Sequence, residues 1–177
     1  YNLNDMSKDH SDPERMKLNK RQKLFKDGRC CFFGDSFVSG VGDREGIGWV
    51  GRVIRPALQD GVPLTVYNLG VRRDTAADVA NRWHQESKPR HRHGDWCGTV
   101  FSFGVNDTNI ENGQPRLPDE TSCERAYWLA KEAIGIGDVL FIGPPPVSDS
   151  EHNRRIMRLS ALLQRSLAPL DIGYLDM

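Results

Sequence analysis

The chain is poor in the features that would announce a partner or a compartment. Neither sign of charge is in surplus: among its 177 residues Lys and Arg total 24, and Asp and Glu total 24. No general field therefore draws it to nucleic acid or to an anionic membrane. No apolar run reaches the roughly 18 residues of a membrane-spanning helix, and the N-terminus has no apolar core of the secretory-signal kind. Cysteine is scarce as well. Cys30, Cys31, Cys97 and Cys123 are irregularly spaced in or beside apolar segments, the pattern of buried thiols rather than of a disulfide framework. Cys30 and Cys31, adjacent in a strand, point to opposite faces, which disfavours a shared metal. Internal repeats and low-complexity tracts are absent. The expectation is a soluble, cytoplasmic protein without a membrane span and without nucleic acid as a partner, whose ligand has to be argued from a site.

What is present is enough chain for one domain with a core of its own. Residues 1–28 are polar and charged, with Lys17, Lys20, Arg21, Lys23 and Lys26 near their end, and read as an N-terminal arm. Residues 29–177 alternate short apolar runs with longer stretches of helical spacing, the signature of an α/β fold with a largely parallel sheet. Strands are expected at about Cys30–Gly34, Leu64–Leu69, Thr99–Phe103, Val139–Ile142 and Gly173–Leu175. Helices are expected at about Gly48–Gln59, with Val50, Val53, Ile54, Ala57 and Leu58 inward and a kink or early end at Pro56. Others are expected at Thr75–Glu86 behind a Thr75/Asp78 capping box, at Asp119–Ile134, and from about Ser150 behind a Ser148/Glu151 capping box.

Ligands of an open parallel sheet bind beyond the carboxyl ends of its strands. The first strand ends in Gly34-Asp35-Ser36, the second in Asn68-Leu69-Gly70, the third in Gly104-Val105-Asn106-Asp107 and the fourth in Gly143-Pro144-Pro145-Pro146. A serine, a glycine and an asparagine on one edge suit acyl transfer. Ser36 can attack a carbonyl while its own N–H, the Gly70 N–H and the Asn106 amide donate to the oxyanion. Each motif is weak alone; their order, each at a strand end, carries the signal.

On these residues the sequence resembles the SGNH hydrolase superfamily, also called GDSL lipases and esterases, from about Cys31 to Met177. Gly34-Asp35-Ser36 is similar to its first block, Gly70 to its second, and Gly104-Val105-Asn106-Asp107 to its third. The resemblance implies a flavodoxin-like three-layer α/β/α sandwich with a five-stranded parallel sheet. It also implies hydrolysis of a small ester or acyl substrate without metal or cofactor. Ser36 is then the nucleophile, Gly70 and Asn106 are oxyanion donors, and Asp35 and Asp107 fix local turns. Two departures accompany it. Family members often carry a small residue where Arg73 stands. The family's last block, an Asp-x-x-His after the fifth strand, does not occur before Met177, so the domain reads as lacking that block and its last helix.

A serine hydroxyl needs a base near neutral pH. Asp149-Ser150-Glu151-His152 matches Asp-x-x-His literally and follows the fourth strand, which makes His152 a candidate; the same residues are also those of a helix start. His84 falls far along the second helix, His91 and His93 follow it toward the opposite edge, and His10 is in the arm. His91 and His93 with Cys97 are a weak metal pattern. Arg72 and Arg73 beside Gly70 can attract an anionic substrate group. Two functions remain open: a serine esterase whose base lies beyond Met177, or an SGNH-like binding or structural module without turnover. An uncovered fifth strand would favour a homo-oligomer.

Overall fold

A computed structural model describes residues 25–177; the greater part of the expected arm lies outside the described residues. The core is a five-stranded sheet in the order β2-β1-β3-β6-β7. Its strands are β1 (Gly28–Gly34), β2 (Leu64–Gly70), β3 (Trp96–Ser102), β6 (Asp138–Ile142) and β7 (Gly173–Leu175). Every pairing is parallel. A two-stranded antiparallel hairpin, β4 (Ile110–Glu111) with β5 (Gln114–Pro115), stands apart from it.

The helices are α1 (Ser36–Ser39), α2 (Gly48–Gln59), α3 (Ala76–His91), α4 (Asp119–Ile134) and α5 (Ser150–Leu167). Alternation along β1 explains how the sheet is shared between them, since successive side chains point to opposite faces. Cys31 and Phe33, with Phe101 and Phe141, meet Val79 and Trp83 of α3, Leu129 and Ala133 of α4, and Leu159 and Leu163 of α5. Cys30 and Phe32, with Val100 and Ile142, meet Val38 of α1 and Val50 of α2. The two cysteines are free and lie on opposite faces, as their adjacency requires; Cys97 and Cys123 are also free. The result is the expected three-layer α/β/α sandwich.

Several boundaries differ from the sequence reading for local reasons. β1 begins at Gly28 rather than Cys30, and Phe25 stacks on Trp96 at 5.2 Å between ring centroids. The Asp95 carboxylate accepts from the Lys26 and Asp27 N–H groups at 2.7 and 2.8 Å, pinning the entry to the sheet. α2 runs to Gln59 through Pro56, and α3 runs on to His91 through Pro89. The Thr75/Asp78 capping box forms, with the Thr75 hydroxyl accepting from Asp78 N–H and Asp78 accepting from Thr75 N–H. At the start of α5 the cap is Asp149, which accepts from His152 N–H at 2.6 Å, and not Ser148.

The largest departure concerns α2. Only Gly48 and Val50 of this helix are buried, and Val53 and Leu58 are 61% and 47% exposed. Three long helices cover one sheet face, whereas α2 with the short α1 covers only part of the other. An apolar trough of about 490 Å³ remains between Phe37, Trp49, Val53, Leu140, Ile142 and Leu175. Among the described residues, no helix is long and apolar enough to cross a membrane.

Candidate active site

Strand register places the candidate residues. Gly34, the last residue of β1, pairs with Gly70 on one side and Ser102 on the other, so the chain leaves these three adjacent strands at one level. β1 then turns directly into α1, a single turn whose N-cap is Asp35. The Asp35 carboxylate accepts from Phe37 N–H at 2.9 Å, and Gly40 closes the turn in the left-handed conformation at φ 83°. Ser36 is the first residue of this turn and is half-buried, so its N–H has no acceptor within the helix. Its hydroxyl has no hydrogen-bond partner among the described residues.

Gly70 packs against this turn. A Cβ at Gly70 would come within 2.2 Å of Ser39 N and 2.7 Å of Asp35 O, so the strand end can approach only without a side chain. Its N–H is engaged: Asn68 Oδ1 accepts it at 3.1 Å, while Asn68 Nδ2 donates to Val38 O at 2.7 Å. Asn68 thus clips the end of β2 to the serine turn.

Asn106 reaches the same place from the loop after β3. Its Nδ2 donates to Asp74 O at 2.9 Å and to Asp35 Oδ2 at 3.3 Å. The structure therefore brings Ser36, Gly70 and Asn106 together on the carboxyl edge of the sheet, with Asp35 between the first and the last. Asp107, fully buried beneath, accepts from Ala76 N–H at the start of α3 and from Ser122 Oγ of α4 at 2.7 Å. It ties the Asn106 loop to two helices.

Burial sets the electrostatics. Removal from water pushes the Asp35 carboxyl up to about 6, with the neighbouring Asp107 and Asp74 adding to the rise and the Phe37 N–H opposing it. Burial also raises Asp107 and Asp74, opposed at Asp107 by Ser122 and at Asp74 by Arg82.

His152 lies beside this group without joining Ser36. Its Nε2 is 3.0 Å from Thr108 Oγ1 and 3.1 Å from Val105 O. Arg155, also on α5, donates to Thr108 O at 3.0 Å. α5 thus grips the Gly104–Thr108 loop from below. His84 and His93 are exposed, and the buried His91 ends α3, its carbonyl accepting from the Cys97 thiol at 3.5 Å. Among the described residues no three His, Cys, Asp or Glu side chains are grouped to hold a metal.

Arg82, Arg116 and Glu111, which help to join these loops, were not marked by the sequence, and Arg73 was marked only as a basic residue beside Gly70. Arg73 adopts φ 74°, a left-handed conformation unusual for a residue with a side chain. It is held by Arg116, which donates to Arg73 O at 2.9 Å, and by Glu111 of the hairpin, which accepts from its guanidinium at 2.9 Å. A basic residue beside Gly70 was visible in the sequence; its backbone conformation was not. Arg82 had no comparable signal.

An open parallel sheet with a polar cluster at its carboxyl edge, on the first, second and third strands, defines an α/β protein whose cluster lies at the edge where such sheets bind their ligands. Residues 32–177 match the GDSL-like lipase/acylhydrolase family, and the chain belongs to that family of esterase- and lipase-like hydrolases. No curated protein sequence matches it. Among solved structures it is similar to a lipase/acylhydrolase from Enterococcus faecalis, at 25% identity and TM-score 0.67, over 82% of this chain and 74% of the other. It is also similar to Axe2, an acetylxylan esterase from Geobacillus stearothermophilus, at 16% identity and TM-score 0.65, over 84% of this chain and 77% of that one. A likeness at that identity speaks to the fold.

Proposed function

We propose that this protein cleaves a small ester or acyl substrate through an acyl-serine intermediate on Ser36. The observation that carries the reading is the Asn106 amide hydrogen-bonded to Asp35, the residue before Ser36, while Gly70 packs on the same turn without a side chain. Three strand ends thereby meet at the turn that carries Ser36.

In the first half of the reaction Ser36 Oγ bonds to the substrate carbonyl carbon, the proton passes to a base, and the alcohol leaves. In the second half, water attacks the acyl-serine and the acid departs. Negative charge on the carbonyl oxygen is met by the N–H groups of Ser36 and Gly70 and by Asn106 Nδ2. The longer of the two Asn106 bonds, the 3.3 Å contact to Asp35, is the one an oxyanion replaces at least cost. The Gly70 N–H exchanges Asn68 Oδ1 for the oxyanion in the same way. Loss of a single donor of this kind costs about 3 kcal/mol of transition-state stabilisation.

His152 matches the Asp-x-x-His pattern in sequence, but its Nε2 is turned to Thr108 and Val105. This favours a supporting role for His152 at the Gly104–Thr108 loop over the role of base. It also supports a second reading, a family member that holds acyl groups without turning them over.

Incubation of the intact chain with a fluorophosphonate, followed by peptide mass spectrometry, separates the two. The esterase reading expects modification of Ser36, lost in Ser36→Ala, together with hydrolysis of p-nitrophenyl acetate. An unmodified Ser36 overturns it in favour of the binding module. His152→Ala should still label; complete loss of labelling in a folded variant would make His152 the base.

A further inference from the structure

Arg82 is a charged side chain drawn into the framework beneath the candidate site. It sits on α3, its side chain 18% exposed, and its guanidinium reaches the end of β1. Nη2 donates to Gly34 O at 3.1 Å, two residues before Ser36. Nε donates to Asp74 Oδ2 at 2.7 Å, and Nη1 donates to Glu86 Oε2 at 3.0 Å. The Phe33 ring lies under the guanidinium carbon, 5.7 Å from its centroid. Asp74 in turn offers its backbone oxygen to Asn106 Nδ2 at 2.9 Å. Gly34 O receives a second donor, Val71 N–H, at 2.9 Å, from the residue after Gly70.

One rigid, planar group is thus bonded to the backbone entering the serine turn and to the side chain of the residue whose carbonyl orients Asn106. We propose that Arg82 is a positioning residue that fixes the Asn106 amide relative to Ser36, acting through Asp74. This rests on the assignment of Ser36 and Asn106 made above, and it adds the group that holds their geometry. The fork matters as well as the charge. A lysine ammonium can satisfy Asp74 but cannot span Gly34 O, Asp74 and Glu86 in one plane. Without the guanidinium, the Asp74 carboxylate, only 13% exposed, is left without its cation and has reason to turn toward water. The carbonyl of the same residue then shifts, and Asn106 loses its shorter bond.

The test measures Ser36 phosphonylation by a fluorophosphonate as a function of probe concentration in the intact protein and in Arg82→Met, Arg82→Lys and Asp74→Asn/Arg82→Met. The side-chain NH₂ resonances of Asn106 are followed in parallel with isotope-labelled asparagine and assigned with Asn106→Asp. Arg82→Met should lower the maximal labelling rate by about 100-fold, the scale of an ångström-sized misplacement. The half-saturating probe concentration should change less than threefold. Arg82→Lys should regain roughly tenfold, and the double variant should be no slower than Arg82→Met, because its two changes act along one path. The Asn106 NH₂ protons should move in Arg82→Met and return partway in Arg82→Lys.

A labelling rate in folded Arg82→Met equal to that of the parent overturns the proposal and leaves the esterase reading standing. So do Asn106 resonances that stay at their original positions. If the parent protein itself is not phosphonylated, the esterase reading falls and Arg82 is judged on the Asn106 resonances: movement with partial return in Arg82→Lys upholds the positioning role, and immobility rejects it.

Discussion

Asp35 serves two neighbours with one buried carboxyl group, accepting from Phe37 N–H and from Asn106 Nδ2. Its pKa is raised from 3.8 to about 6 by burial. A carboxyl that is harder to ionise in the fold binds more protons in the native than in the unfolded state between about pH 4 and pH 6, so its contribution to stability falls as pH rises through that window. The span of about two units corresponds to about 3 kcal/mol. Asp35→Asn keeps an acceptor for Phe37 and carries no charge. Urea midpoints measured from pH 4 to pH 7 should show the parent losing stability relative to Asp35→Asn across that range. Parallel curves would mean that Asp35 is not the group that titrates. Gly34-Asp35-Ser36, Gly70 and Asn106 were legible in the sequence because each is a short motif at the end of an apolar run. Arg82 was not, because its bond to Gly34 spans 48 positions and nothing about an arginine in a helix marks its partner.

Among the elements, those with period and punctuation were readable, and those made by tertiary contact were not. α4 runs over Asp119–Ile134 and β7 over Gly173–Leu175, as their apolar spacing and flanking glycines indicated. The four-residue α1 and the hairpin at Ile110–Pro115 are too short for periodicity to register. α3 starts where its capping box says it should, and that start lies beside the candidate site, since Ala76 N–H donates to Asp107. Thr75→Ala removes the hydroxyl that accepts from Asp78 N–H, and should lower stability by about 1 kcal/mol. Thermal melting should therefore show a fall of a few degrees; an unchanged midpoint would mean that the Asp107 contact holds the helix start alone.

At the scale of the whole molecule, the two sheet faces are unequally covered among the described residues, and the sequence could not show this. An apolar stripe states which side of a helix seeks cover without stating what covers it. Val50 and Val53 belong to the same stripe of α2, yet Val50 is 2% exposed and Val53 is 61% exposed. Val50→Ala should cost on the order of 2 kcal/mol in urea unfolding, whereas Val53→Ala should stay within about 0.5 kcal/mol. Equal costs would show Val53 to be covered in solution. The strand order also bears on how the chain comes together during synthesis. β1 lies between β2 and β3, the next sheet strands made, so a contiguous three-stranded part of the sheet can assemble by the time Ser102 has emerged from the ribosome. The serine turn and Gly70 belong to that early part. Asn106 follows within a few residues, and β6 and β7 are then added outward onto a template that already holds the Ser36, Gly70 and Asn106 cluster.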